Sequence, residues 1–529
     1  MNCKISCSFG EIVDKVTILK IKQSKATNPN ALLNIRKELT IIQKENPKVN
    51  NKDTLFEKLS EINKKLWVLE DSIREKSKKK EFDRQYIEYA ESIHITNDQR
   101  YLVKKQINEK YNSNLKEEKI YNTNKVFVDL NDIKKLEKGK KLYTEGYYNE
   151  SKSCIEKIMK KYENYSTYDN FFIDLLFSYN NICSIFNKSF LYFDKVKEIM
   201  STIDLINISK VQKDFCKSMY TTQCLSLKKY DLSYKYIGRI NYIKGPNINY
   251  DNMSFFFKND KNKTLLIYDG GGLGDKFMLS RFIPKLCKTN KDNKVIFLCD
   301  DKLVWFFKDL FKEISNIRIF NDSQPYLLPI FDYHCSLLAL IKHLNITYTN
   351  LYQDKLIHNI KVDMTNKCKE IISSFNKPTF ILNWKGNPKN SHEKHNRMMN
   401  LINAIPLFKI NTIQWIVITR NITSQENKIL KKYNVKSYGN IIDKEKSFYD
   451  TISILRNITG VISTDTSLPH LSLALHVKTY VLLTLGCEWR WTRDKITNWY
   501  PNAILLRQKK LGDWTDPINK IKAILTETV

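Results

Sequence analysis

From residue 255 onward, short apolar runs alternate with amphipathic stretches. The apolar runs are "KTLLIYD", "KVIFLCD", "PTFILNWKG", "IQWIVITR", "ITGVISTD" and "KTYVLLT". Runs this short with no polar face read as strands buried on both sides. Between them, "KFMLSRFIPKLCKT", "LVWFFKDLFKEI", "ENKILKKY", "SFYDTISILRN" and "SLPHLSLAL" read as helices. Strand and helix in alternation predict parallel sheets with crossover helices. Two such sets, split near "VDMTNKCKEIISSFNKP", predict two Rossmann-like halves, about 255–370 and 377–529. In open α/β sheets, ligands sit beyond the carboxyl ends of the strands, so functional side chains are sought there.

The chain of 529 residues is too long for one core, and about three domains fit its length. Residues 1–122 are charged and helical. "SFGE" at Ser8 has the form of a capping box. Leu32, Ile35, Leu39 and Ile42, then Leu55, Leu59, Ile62, Leu66, Leu69 and Ile73, recur at helical spacing around the turn-rich "ENPKVNNKD". A long helical hairpin follows, with two shorter helices expected over "FDRQYIEYAESIHITNDQRYLVKKQINEKY". Residues 125–250 carry the small–aromatic rhythm of helix–turn–helix repeats of the tetratricopeptide (TPR) kind, in "LEKGKKLYTEGYYNESKSCIEKIMKKY" and "CLSLKKYDLSYKYIGRIN". A generic helical linker is the other reading. Either way such helices must stack on each other or on a neighbour to bury their apolar faces.

Composition excludes several classes. Mean hydropathy is -0.44, and no run of about 18 apolar residues marks a membrane span. The opening "MNCKISCSFGEIVDK" has neither signal-peptide nor transit-peptide character. Eleven scattered cysteines without a C-x-x-C pair read as reduced thiols. A cytoplasmic location is expected, and a peripheral membrane contact is left open. The formal net charge of +30 points either to anionic partners or to a compositional bias towards lysine, which is spread along the chain. No specific nucleic-acid partner is expected.

Three stretches carry chemistry. "YDGGGLGDK" joins a strand to a helix by a turn nearly bare of side chains. It is neither a Walker loop nor a strict G-x-G-x-x-G, because Asp275 stands where a phosphate would be repelled. A carboxylate at a helix N-terminus there suits a general base, or else simply caps the turn. "STDTSLPHLSLAL" places Asp465, Thr466, Ser467 and His470 at another helix start, an arrangement suited to a diphosphate. "LNWKGNPKNSHEKHNRMMNL" follows a strand with a basic loop. Its Lys385, Lys389, Lys394 and Arg397 either neutralise a leaving group or are solvated cations, the second being preferred for Lys389.

Several motifs in order also resemble a known family. "GGLGDKFMLSRFIPKL", "DYHCSLLAL", "WKGNPKNSHEKHNR", "DTSLPHLSLAL", "EWRWTRD", "NWYP" and "GDW" are similar to those of TPR-containing glycosyltransferases of the heptosyltransferase-like family 9, with a more distant likeness to O-linked N-acetylglucosamine transferases. The resemblance implies a GT-B fold, two Rossmann-like domains facing across a cleft. It implies an enzyme that moves a sugar from a nucleotide-sugar donor to an acceptor hydroxyl, with inversion, no obligatory metal and no cofactor.

By the same resemblance Asp275 is the base, with His334 the next candidate. The donor would be held by Gly272, Gly274, Trp384, Lys385, Asn387, Lys394, Arg397, Asp465, Thr466, Ser467 and His470. Trp489, Arg490 and Trp491 would line the cleft. The acceptor would be a glycan, a lipid-linked sugar or a protein, and the helical half would suit a protein partner. Lys276, and His395-Asn396 before Arg397, depart from the family pattern and leave the donor open. The competing reading is a degenerate transferase-like scaffold for a protein, nucleic acid or anionic membrane.

Residues 1–122 are similar to a small bacterial domain without assigned chemistry, through "GEIVDKVTILKIK", "LWVLEDSIREK" and "ITNDQR". Asp14, Lys15, Glu70, Asp71, Arg74, Asn97, Asp98 and Arg100 then form either a polar site or buried pairs that fix helix packing.

Overall fold

The computed structural model describes residues 6–49, 53–116, 128–163, 169–186, 192–206, 208–237, 260–268, 271–324, 327–351, 360–387, 393, 397–486 and 488–528. Lys389 and Lys394 lie outside the described residues. Two compact units result, one of residues up to Lys134, the other Lys135–Asn164 and Tyr168–Val529.

The first unit holds α1 (Phe9–Lys25), α2 (Pro29–Glu45), α3 (Thr54–Lys79) and α4 (Arg84–Lys110). Their starts are written in the sequence: Ser8, Asn28, Asp53 and Asp83 each accept a first-turn N–H. Ser8 caps α1 as expected, while Glu11 pairs with Lys104 of α4. The expected hairpin is partnered differently. α3 packs along α4, and α1 touches α2, α3 and α4. The two short helices expected after Phe82 are one helix, α4. Asn97 and Asp98, turn formers by themselves, are carried within it, because its core residues pack on neighbouring helices. Val13, Phe56, Leu59, Ile62, Leu66, Val103 and Ile107 form that core.

Beside this core Asp14 is 2% exposed. It accepts from Asn63 Nδ2 at 2.8 Å and Arg100 Nε at 2.8 Å, with Arg100 Nη2 on its second oxygen. Lys15 pairs with Glu38 and Arg74 with Glu70, both on the surface. The motif residues therefore divide between a buried pair and surface pairs.

Helices open the second unit: the larger part of α5 (Leu130–Thr144), then α6 (Tyr148–Lys161), α7 (Asn170–Ile185), α8 (Phe193–Thr202), α9 (Lys210–Ser226) and α10 (Tyr230–Ser233). α6 packs on α7, and α9 on α8 and α10. The remaining apolar face is covered by the α/β part. Leu225, Tyr230 and Ile237 belong to the same core as its strands. Trp499 Nε1 donates to Tyr230 Oη at 2.9 Å, Tyr234 Oη donates to the Ile346 carbonyl at 2.7 Å, and Lys228 pairs with Asp494.

The first α/β half contains β1 (Thr264–Tyr268), α11 (Leu273–Leu279), α12 (Phe282–Thr289), β2 (Lys294–Cys299), α13 (Val304–Leu310), β3 (Ile317–Asn321), β4 (Tyr333–Ser336) and α14 (Leu340–His343). Its sheet is parallel, ordered β3-β2-β1-β4. The second half contains α15 (Asn366–Ser373), β5 (Thr379–Asn383), α16 (Ile405–Phe408), β6 (Gln414–Val417), α17 (Ser424–Lys432), β7 (Lys436–Ser437), α18 (Tyr449–Leu455), β8 (Gly460–Thr464), α19 (Ser467–Ala474), β9 (Thr479–Leu483), β10 (Ala503–Arg507) and α20 (Thr515–Thr528). Its sheet is parallel too, ordered β10-β9-β8-β5-β6-β7.

Strand order reverses between β1 and β4 in the first sheet and between β5 and β8 in the second. Crevices at the carboxyl ends of such switch points are where α/β sheets bind ligands. The glycine turn follows β1, the basic loop follows β5, and the Asp465–His470 stretch follows β8. All three chemical stretches thus leave strands that border a switch point. Among the described residues, no helix is long and apolar enough to cross a membrane.

Candidate functional site

The starts of α11 and α19 are packed directly on each other. Gly274 makes this approach: a Cβ there would lie 2.5 Å from Cδ2 of His470. Asp275, one residue on, accepts the N–H of the helix cap Gly272 at 2.9 Å through Oδ2. Its Oδ1 is paired with Nη2 of Arg490, which also faces Glu488 at 3.4 Å. Asp275 is therefore both the cap and the partner of a buried cation. Burial opposes the charge on Arg490, but Asp275, Glu488 and Asp465 outweigh it and hold the guanidinium above its ordinary pKa.

His470 is 2% exposed. Burial, helped by the Arg490 charge, pushes its pKa well below the ordinary histidine value, so the ring is neutral. Nδ1 meets Tyr500 Oη at 3.0 Å, and Nε2 lies 3.9 Å from Asp465 Oδ1. Burial pushes the Tyr500 hydroxyl up to about 12, so it stays protonated. Trp491 packs over His470, its ring centroid 4.9 Å away.

The strand-end polar network is denser than the sequence suggested. Thr466 caps α19, accepting from Leu468 N at 3.4 Å. Asn383, at the end of β5, donates to Thr466 Oγ1 at 3.0 Å and Ser463 Oγ at 3.1 Å, and accepts from Thr419 at 2.9 Å. The Thr466 hydroxyl is thus engaged by protein. Ser467, more open than Thr466, is the accessible hydroxyl of this helix start. Arg397 reaches across from the basic loop. Its Nε donates to the Asp465 carbonyl, and Nη2 lies 3.6 Å from Asp465 Oδ1. Glu393 shapes that loop by accepting the Gly386 N–H at 2.9 Å.

Not every expected residue joins this group. Lys385 is buried and bonded to Glu426 at 2.6 Å and to the Asn421 carbonyl at 3.1 Å. Trp384 is wholly buried and gives its Nε1 proton to the same carboxylate at 2.7 Å. This pair staples β5 to α17 instead of presenting a cation to a ligand. Asn387 is exposed. His334 pairs in register with Leu266, so it shares that residue's face of the first sheet. There it lies beside Tyr268 and Phe331 at centroid distances of 5.9 Å and 6.1 Å. α11 contributes Phe277 and Met278 to the core that Leu265 and Ile267 enter, on the opposite face. Trp489 and Trp491 are packing residues, against Trp499 at 5.4 Å and Tyr500 at 5.7 Å, so only Arg490 of the three reaches Asp275.

Asn383, Glu393, Tyr500 and Arg281 were missed. Arg281 is buried, donates to the Met278 carbonyl at 2.7 Å and the Trp499 carbonyl at 3.0 Å, and so ties the two halves together. It stands inside the quoted motif, which was the available signal. Thr492, just beyond Trp491, has φ 51° and ψ -172°. A β-branched residue rarely occupies that region, and such strain persists where the surroundings fix it. Here Arg507 donates to the Thr492 carbonyl at 2.9 Å and Thr492 Oγ1 donates to the Ile496 carbonyl at 3.1 Å.

Residues 1–129 match a family of unknown function, DUF6165. No curated protein matches the chain. Solved structures similar to it include a family 9 glycosyl transferase from Veillonella parvula DSM 2008, at 10% identity and TM-score 0.35, covering 51% of this chain and 90% of that one. Another is the ADP-heptose LPS heptosyltransferase II of E. coli, at 10% identity and TM-score 0.34, covering 50% and 99%. A mutant O-GlcNAc transferase from Thermobaculum terrenum aligns at 8% identity and TM-score 0.22, covering 68% and 84%. Likeness at these values assigns neither activity nor ligand to this chain.

Proposed function

We propose that the second unit is a glycosyltransferase that takes a nucleotide-sugar donor and transfers its sugar to an acceptor hydroxyl, with inversion and without a metal or other cofactor. The observation that carries this reading is the meeting of two helix starts, α11 with Asp275 and α19 with Ser467 and His470, beyond strands that border the two switch points. The dipole of α19 favours a diphosphate, the Ser467 hydroxyl is open to it, and Arg397 adds a cation beside it. Asp465, a carboxylate, suits a ribose or sugar hydroxyl better than a phosphate. Neutral His470, with Tyr500 donating to Nδ1, presents its Nε2 proton to the donor. The α5–α10 helices are read as TPR-like, in a protein that works in the cytoplasm.

Arg490 adds a control step to this reading. While it pairs with Asp275, the guanidinium occupies Oδ1 and the Gly272 N–H occupies Oδ2, so the carboxylate is not free to meet an acceptor hydroxyl. An arriving diphosphate competes for the same guanidinium. Drawing Arg490 away frees Asp275 to deprotonate the acceptor as the sugar–phosphate bond breaks. The cation then stabilises the leaving group, a preorganised electrostatic role. The direct test is to titrate the full chain with ADP, UDP and GDP, and with their sugars, by calorimetry. Binding of one nucleotide series, lost in Arg490→Met, is expected; no binding of any would overturn the reading.

A further inference from the structure

A cavity of about 430 Å³ lies beyond the carboxyl ends of β8 and β9, where the helices α5–α10 meet the second α/β half. Its two walls differ in chemistry. The sheet side presents Arg397, Asp465, Glu488 and Arg493, all charged. The helical side presents Asn181, Ser184, Ser218, Thr222 and Gln223, which are neutral and polar, together with the apolar Ile185 and Met219. Tyr143 and Trp489 add aromatic surface. The junction is fixed by Gly486, where a Cβ would lie 2.2 Å from the Ser184 carbonyl oxygen at the end of α7.

Gln223 is the telling residue. It is 1% exposed, and neither its amide oxygen nor its amide nitrogen has a hydrogen-bond partner. A buried amide left without partners is destabilising, so a fold has reason to discard it unless something else fills its valences. A neutral wall of amides, hydroxyls and two apolar side chains, with aromatic surface beside it, matches the alternating hydroxyl and C–H groups of a sugar. The volume lies within the range of small-ligand sites, roughly 300–1,000 Å³, and suits a closed ring or two better than an extended chain.

We infer that this cavity is the acceptor subsite, and that its occupant is a neutral saccharide held by Gln223 and Thr222 from the helical wall. The inference rests on the transferase reading, with the charged wall facing the donor. The helices then select the acceptor as well as cover a core.

The test uses the full chain and a panel of neutral methyl glycosides and disaccharides, observed by saturation-transfer NMR, with ADP, UDP and GDP titrated separately. Gln223→Leu keeps the size of the side chain and removes the unpartnered amide. It is expected to weaken glycoside binding about tenfold or more, the scale of one lost hydrogen bond in a buried site. Nucleotide affinity should be unchanged, and the thermal midpoint should rise, since a purely structural glutamine would lower it. Thr222→Val is the second variant. Its hydroxyl bonds within its own helix to the Ser218 carbonyl at 3.2 Å, so its loss should spare the fold and weaken glycoside binding alone. Glycoside binding unchanged in both variants would overturn the inference. So would a lowered midpoint for Gln223→Leu, or preference for peptides over glycosides in a competition. Nucleotide binding without any glycoside binding defeats this inference and spares the transferase reading; absence of nucleotide binding defeats the latter.

Discussion

The two units treat their buried polar groups in opposite ways. In the first, Asp14 is answered by Asn63 and Arg100. Asn108 takes the Gly10 N–H at 2.6 Å, and Asp53 gathers Leu55 N, Lys110 and Tyr111. Among the described residues of that unit, no buried side-chain nitrogen or oxygen lacks a partner. In the second unit, Gln223, Thr464 Oγ1, Arg490 Nε and Trp491 Nε1 are buried without one. Others, such as Asn180 and Trp415 Nε1, lie outside the strand-end site, so the second unit is less saturated as a whole and its site shares in that. The contrast separates a saturated scaffold from the unit that carries the candidate site.

The largest expected effect tests the saturated side. Asp14→Ala removes the partner of a largely buried guanidinium and should cost about 3 kcal/mol, the low end for breaking a buried pair, because Arg100 is 27% exposed. Urea unfolding followed by hydrogen exchange should assign the loss to α1, α3 and α4. A loss under 1 kcal/mol would erase the contrast.

Asp275→Asn probes the open side. Asparagine still accepts the Gly272 N–H but no longer ionises. Stability should fall, because buried Arg490 keeps only Glu488 as a close carboxylate partner. On the transferase reading, turnover of the folded protein should fall about 100-fold or more, as for loss of a general base. Near wild-type transfer in a folded Asp275→Asn protein would reduce Asp275 to a cap.

A smaller effect is expected at the joint between the two halves. Gly274→Ala inserts a methyl against the His470 ring and should cost about 1–3 kcal/mol, as overpacking does. It should weaken nucleotide binding too, because α11 and α19 must part. Unchanged binding would mean that the joint and the donor site are separate.

The smallest effect is in pH. His470, His334 and His343, all in the second unit, are held below their ordinary pKa, chiefly by burial, His343 at about 4. Below about pH 6.5 the unfolded chain binds protons that these folded histidines refuse, so the second unit loses stability as pH falls from there. In the first unit, burial raises the Asp53 pKa, but its bonds to Lys110, Tyr111 and Leu55 outweigh burial and hold it low. That contribution is present above about pH 4 and lost only below it. Unfolding midpoints measured from pH 8 to pH 4 should decline first for the second unit. Parallel decline of both would break the comparison.

Which strands were legible follows from burial. The six read from sequence, β1, β2, β5, β6, β8 and β9, all lie inside their sheets. The four missed, β3, β4, β7 and β10, are the edges. An edge strand is covered less completely, so its sequence need not be continuously apolar; β7, "KS", is exposed throughout. Likewise Asp465, Thr466 and His470 were picked out just past β8, Asp275 after the glycine turn that follows β1, and Arg397 in the longer basic loop that follows β5. Gln223 was not, because nothing in a helix of ordinary composition marks one glutamine as buried and unanswered.

The sequence by itself determined the local elements. Caps placed the helix starts, apolar runs the central strands, and the glycine turn the entry to α11, because these depend on neighbours a few residues away. Tertiary structure alone decided the partners. It turned Lys385 to Glu426 and Arg490 to Asp275, set His334 on the face away from α11, and laid α7 and α9 against the ends of β8 and β9. Those outcomes depend on which surfaces meet across hundreds of residues, and a charge or an amide takes its role from what it faces there.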